Sequence, residues 1–241
     1  MTKEEIRLKK LVTLVVPAYR EAESLSLSLG RIIEALRAAN IPFEIILIVD
    51  RAPGDDTAEV ARRIASDHPE VHLMIREGRQ GVGTAIRAGI SMAHGEIVMP
   101  VMADASESTS DVVAVARKAQ EGYDIVVGNR FIVKKIFGYP ALKYCANRLC
   151  NLLVRLLFRV PTSDITNAFK AYSTKALEGL DINSRGYSVF LELPVKAYMN
   201  SSRCLTELPV RHTATSKKRG LRVFRDGVSY ILSLLGILFY N

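Results

Sequence analysis

The 241-residue chain is poor in cysteine: Cys145, Cys150 and Cys204 are an odd set with no metal-ligand spacing. That argues against a zinc cluster or a disulfide scaffold and points to buried structural thiols in a reducing compartment. Nothing resembles a signal peptide, which fits the same cytosolic side. No Gly/Ser linker, repeat or low-complexity tract marks a second domain, so the length suits one sizeable core. The apolar stretch Val228–Tyr240 falls short of the roughly 20 residues that span a bilayer. Helix-turn-helix, zinc and RNA-binding signatures are missing, and the basic residues are not interleaved with stacking aromatics, which excludes nucleic acid as a partner. What the chain does carry is a net charge of +8, and this calls for anionic phosphates on a nucleotide or a lipid.

Apolar, β-branched runs supply the architecture. Leu11–Val16 reads as a buried strand ending at Pro17, which delivers Pro17, Tyr19 and Glu21 to its carboxyl end. Phe43–Asp50 repeats the design, and Pro53-Gly54 turns the chain so that Asp55, Asp56 or Thr57 caps a helix running to about Ser66. Further strands at Val71–Arg76, Glu96–Met102 and Asp124–Val127 alternate with helices at Ala85–Ala93 and Asp111–Gln120. Alternation of this kind predicts an α/β fold with a mostly parallel sheet and right-handed crossovers. In such sheets ligands bind at the carboxyl ends of the strands. Asp50 stands there, where a carboxylate accepts hydrogen bonds from a base or ribose. The glycines of Gly78–Thr84 either bring amides to a phosphate at a helix start or pack that helix tightly on the sheet. Their place after the third strand is wrong for a dinucleotide fingerprint.

Val16-Pro17-Ala18-Tyr19-Arg20-Glu21, followed by Ile48-Val49-Asp50 and Asp55, resembles the opening of the family 2 glycosyltransferases. Among them it is most similar to the polyprenyl- and dolichyl-phosphate sugar transferases. The resemblance covers nearly the whole chain. It implies a Rossmann-like nucleotide-diphospho-sugar transferase fold of the GT-A type, with Pro17, Tyr19, Glu21 and Asp50 holding base and ribose and Arg79 near the donor. Family members end the fourth strand with two aspartates one residue apart, which bind Mg²⁺ or Mn²⁺. Here Asp104 takes the second place and Met102 replaces the first, so Ser106 or Glu107 is expected to add a ligand. Arg51 likewise stands where a second aspartate is usual.

Beyond the fifth strand, Gly128-Asn129-Arg130-Phe131 resembles a block whose arginine reaches the active-site phosphates, and Arg130 offers a fork suited to them. Asp164-Ile165-Thr166-Asn167-Ala168-Phe169-Lys170 resembles an acceptor-side block, with Ala168 and Lys170 replacing Gly and Arg. Glu192 matches a late-helix glutamate facing the same cleft, and Ser216 and Lys217 match a Ser-Lys segment near the phosphates. If the acceptor is a hydroxyl, Asp164 or Glu192 is the candidate base; a phosphate acceptor needs none.

Residues 141–159 place Lys143, Asn147, Asn151, Arg155 and Arg159 at steps of four, with leucines crowding the rest of the helix. The pattern fits an interfacial helix with basic residues toward headgroups, or an ordinary helix packed on the domain. Residues 1–215 are expected to form the transferase domain, and 216–241 a basic loop and membrane-associated apolar helix. The chain ends there either as a complete peripheral protein or as part of a longer one. The resulting expectation is sugar transfer from GDP-mannose or a UDP-sugar to a polyprenyl or dolichyl phosphate at the cytosolic membrane face, with inversion. A soluble or glycan acceptor, or an impaired nucleotide-sugar- or lipid-binding homologue, stays open as the alternative.

Overall fold

The computed structural model describes residues 9–104, 106–132, 141–211 and 236–238. In chain order the elements are β1 (Val12–Ala18), α1 (Ala22–Ala38), β2 (Phe43–Asp50), α2 (Thr57–Asp67), β3 (Val71–Arg76), α3 (Val82–Met92) and β4 (Ile97–Pro100). There follow α4 (Thr109–Gln120), β5 (Ile125–Asn129), α5 (Ala141–Phe158), β6 (Lys170–Ser173), α6 (Thr174–Leu177), α7 (Val189–Asn200) and β7 (Leu205–Pro209). The strands form one sheet ordered β3-β2-β1-β4-β6-β5-β7. All its pairings are parallel except those of β6, which runs antiparallel to both β4 and β5.

Period-two alternation sorts the strand side chains onto two faces. Leu14 and Val16 of β1 and Ile45, Leu47 and Val49 of β2 join one core cluster, with Leu25, Leu29, Ile32, Ile33 and Leu36 of α1. Val15 points the other way, into a cluster with α7 residues such as Leu191 and Val195. Ile46 and Ile48 meet Ala85 of α3 on that second side. Both faces are therefore covered, which is why the strands read as continuous apolar runs. Pro17 does not end β1 as its ring suggested. It lies past the last pairing with β4, at Val15, so its missing N–H costs no ladder bond on that side.

The order changes direction at β1, because β2 and β3 add on one side and β4 on the other. The crevice outside the carboxyl ends of β1 and β4 is thus the topological switch point. One wall of the cleft comes from sequence far away. The 181–187 loop lies against the start of α3, where the Gly83 N–H donates to the Arg185 carbonyl at 2.8 Å. A Cβ on Gly83 would collide with the Ser184 carbonyl, and Gly81 adopts φ 97° beneath the same loop. The expected C-terminal segment 216–241 lies outside the described residues, apart from 236–238.

Gly83→Ala pushes on backbone, which gives way poorly, and so should destabilise the fold by about 1–3 kcal/mol. Urea denaturation checks this; an unchanged midpoint would mean that the loop is not seated on the turn.

Candidate active site

At the tip of β1, Arg20 adopts φ 57°, an uncommon conformation for a residue with a Cβ. The buried Glu21 follows, its N–H donating to Thr57 Oγ1 at 2.8 Å and its carboxylate accepting from Ser24 Oγ at 2.9 Å. Thr57 accordingly ties α2 to the end of β1, while its own N–H is received by Asp55 at 3.3 Å. The half-buried Tyr19 ring has the Arg79 guanidinium 5.1 Å and the Arg20 guanidinium 5.8 Å from its centroid. Two cations on one aromatic ring make this rim electropositive.

Asp50 stands at the expected strand tip, but its carboxylate is already used. Arg76 Nε donates to Oδ1 at 2.8 Å and Arg76 Nη2 pairs with the same oxygen. The Gln80 and Gly81 N–H groups donate to Oδ2 at 2.9 and 3.0 Å. Four donors fill the carboxylate's roughly four lone-pair sites. Asp50 thereby shapes the Gly-rich turn at the strand tip where the family resemblance puts base and ribose. Arg51, the departure beside it, is exposed and pairs with Glu77 at 2.8 Å.

The end of β4 resolves the other departure. Met102 is half-buried and packs against the apolar cluster under α7. Its N–H donates to the Glu107 carboxylate at 3.4 Å, and the Ser106 N–H donates to Asp104 Oδ1 at 3.2 Å. Burial first, and the charge of Asp104 second, push the Glu107 carboxyl up to about 7. Glu107 thus folds back onto the backbone at Met102 and close to Asp104. Asp104, Glu107 and the Ser106 hydroxyl are all hard oxygen donors, a set that fits Mg²⁺ or Mn²⁺. Among the described residues no group of three or more His, Cys, Asp or Glu assembles as a metal cage. An ion here would complete its shell with oxygens from a bound diphosphate and water.

At the tip of β5, the Arg130 backbone N–H and Nε each donate to Asp164 Oδ2 at 2.9 Å, and Nη2 donates to Oδ1 at 2.7 Å. Asp164 is completely buried. A carboxylate so enclosed orients the guanidinium. Thr166 Oγ1 lies 3.4 Å from Arg130 Nη2 and donates to Asn147 Oδ1 at 2.5 Å. Lys170 on β6 is also fully buried, with Nζ donating to the Asn167 carbonyl. Burial pulls its ammonium down to about 7, against the attraction of Asp164 and with help from Arg130.

Glu192 lies at the start of α7, behind the 181–187 loop. Its carboxylate is buried and receives the Asn183 and Ser184 N–H groups at 3.0 and 2.8 Å and Lys196 Nζ at 2.7 Å. These bonds hold its pKa below the ordinary glutamate value in spite of burial. Glu192 anchors the loop that covers the Gly-rich turn. Ser216 and Lys217 lie outside the described residues. Sequence reasoning missed Arg76 and did not count Lys170 as a site residue. A charge complementary to Asp50 at the end of the adjacent strand was the available signal for Arg76.

The sequence profile of Glycosyl transferase family 2 matches residues 13–180. The chain belongs to that family. This glycosyltransferase is 28% identical over 216 residues to a polyprenol monophosphomannose synthase of Mycolicibacterium smegmatis, covering 86% of this chain and 79% of the relative. It is 27% identical over 220 residues to an undecaprenyl-phosphate mannosyltransferase of Micrococcus luteus, covering 87% and 88%. A solved structure of Mycobacterium tuberculosis glucosyl-3-phosphoglycerate synthase with Mn²⁺, uridine diphosphate and phosphoglyceric acid superposes with a TM-score of 0.68 at 16% identity, covering 94% of this chain and 78% of that one. That likeness bears out the GT-A type of fold.

Lys170 makes a pH-dependent prediction for this glycosyltransferase. Its folded pKa lies below that of the unfolded chain, so burial costs stability at every pH below about 10.5 and is relieved as pH rises from about 7. Lys170→Met should stabilise the fold by about 1–3 kcal/mol at pH 6–7, with the gain shrinking toward pH 10. Thermal melts of both proteins across that range decide it, and a gain that grows with pH would reverse the assignment.

Proposed function

We propose that this glycosyltransferase moves a hexose, mannose first among the candidates, from a nucleotide-diphospho-sugar to a polyprenyl phosphate at the cytosolic face of a membrane. The observation that carries the reading is the orientation of α5. Leu149, Leu152, Leu153, Leu156 and Leu157 are between 42% and 67% exposed, whereas Asn151 of the same helix is 3% exposed. Ordinary packing on the domain would have put the leucines inside. The polar stripe is not uniformly outward either: Asn147 and Asn151 bond to Thr166 beside Arg130, and Arg148, Arg155 and Arg159 are exposed. An apolar helical face flanked by arginines suits an anionic bilayer interface. No described helix is long and apolar enough to cross a membrane, so the contact would be peripheral there. The named relatives, which act on polyprenol and undecaprenyl phosphate, support the same acceptor class.

The donor would lie across the switch point, with Pro17, Tyr19 and Glu21 at the nucleoside, and Arg79 and Arg20 near the diphosphate. Asp104, Glu107 and Ser106 would hold Mg²⁺ or Mn²⁺, which when bound supplies positive charge for the leaving diphosphate. Arg130, fixed by Asp164, would orient the acceptor phosphate. An acceptor phosphate oxygen bonds to the anomeric carbon as the bond to the nucleoside diphosphate breaks, and the centre inverts. A phosphate monoester is largely dianionic near neutral pH, so no proton needs removing. The two carboxylates named as candidate bases, Asp164 and Glu192, are both committed to structure, which favours a phosphate over a hydroxyl acceptor.

Two measurements test this. Asp104→Ala should weaken Mn²⁺-dependent donor binding in calorimetry at least 10–100-fold, roughly the loss known for disturbing a metal's outer shell. Unchanged affinity would remove Asp104 from the site, and no binding of any donor by the native protein would favour the impaired homologue. Leu152→Glu with Leu156→Glu should release the protein from anionic vesicles, because each exposed leucine gives up about 1.5–3 kcal/mol of apolar burial in the interface. Native turnover of a soluble acceptor alone, unaffected by vesicles, would instead support the soluble-acceptor reading.

A further inference from the structure

We infer that Asn147 and Asn151 are positioning residues that carry the seating of α5 on the membrane into the acceptor-phosphate site. The inference rests on the proposed lipid acceptor and identifies how the docking helix and the site are joined.

A buried amide is costly unless its donors and acceptor are used. Those of Asn151 are used in one direction. Oδ1 accepts the Thr166 N–H at 3.3 Å, and Nδ2 lies 3.3 Å from Thr166 Oγ1 and donates to the Asn147 carbonyl at 2.8 Å. Asn147 Oδ1 receives the Thr166 hydroxyl at 2.5 Å. One helix turn thereby grips both the backbone and the side chain of Thr166. The same Oγ1 lies 3.4 Å from Arg130 Nη2, which also donates to Asp164 at 2.7 Å. The guanidinium is thus held by the core through Asp164 and touched, by way of Thr166, by the face of α5 that carries the asparagines.

The hydrogen bonds of α5 to Thr166 come from the face opposite the leucines, through Asn147 and Asn151. A bilayer that takes up the leucine face restrains the helix, and the two asparagines relay that restraint to Thr166. Seating the leucines therefore orders Thr166 and, through it, Arg130, and a lipid acceptor meets a better-ordered phosphate site than a soluble one.

The test compares a short, water-soluble prenyl phosphate as acceptor with and without anionic phosphatidylglycerol vesicles. Deuterium exchange at residues 164–167 provides a second readout that needs no turnover. In the native protein vesicles should lower the acceptor KM and protect the Thr166 amide. Asn151→Ala and Thr166→Val should raise the acceptor KM about tenfold in the presence of vesicles and abolish both vesicle effects. Donor affinity and vesicle binding should stay within about twofold, the result expected if only the acceptor site is loosened. Thr166→Ser, which keeps the hydroxyl, should restore the native response, and Asn151→Asp covers the case in which the alanine variant does not fold. Equal losses with and without vesicles, or a parallel loss of donor affinity, would reduce the relay to ordinary structural support. Absence of vesicle-induced protection in the native protein would overturn the relay outright. Failure of the native protein to use any phosphate acceptor while that protection persists would overturn the lipid-acceptor reading and leave the relay standing.

Discussion

A carboxylate taken out of water has to be surrounded by donors, and the acceptor half of this protein is arranged around that requirement at Asp164. Its three bonds from Arg130 join the tip of β5 to the segment leading into β6. A pair of this kind contributes little net stability, since desolvation consumes most of the attraction. What it fixes is geometry. The guanidinium is placed by it, and the buried Lys170 is tolerated because Asp164 is near. That lysine costs stability, because burial penalises its ammonium more than Asp164 attracts it.

The donor half obeys the same rule with different residues. Asp50 collects Arg76 and two turn amides, Gly83 joins that turn to the 181–187 loop, and Glu192 with Lys196 holds the loop from behind. Asp50 and Glu192 are thus the posts between which the turn and the loop are strung. Flexible loops positioned by a rigid sheet commonly carry function, and here the loops are stiffened from inside.

Much of this was legible in the sequence because the sheet is covered on both faces. Continuous apolar runs located β2 and β3 to the residue, and β1, β4 and β5 to within a few positions. The identities at the strand tips were also legible, since only a handful of polar residues interrupt those runs. Their occupancy was not. Whether Asp50 faces a ligand or an internal arginine depends on Arg76, which stands in a strand paired only through tertiary structure. The same holds for Glu107, whose approach to the Met102 amide is a property of a turn. For α5 the periodicity gave the two faces of the helix correctly but not which of them the protein would keep.

The reversed strand has a consequence of its own. Because β6 runs opposite to its neighbours, it begins at the edge where β4 and β5 end, and so brings Asp164–Asn167 to the carboxyl side. It also stands between those two strands. Neighbouring strands lie about 4.8 Å apart, so the ends of β4 and β5 are kept roughly 10 Å from each other. That interval is a ruler in the floor of the cleft. It sets the segment that follows β4 apart from the tip of β5, so Asp104 and Arg130 reach the cleft from two separate strand ends with the start of β6 between them.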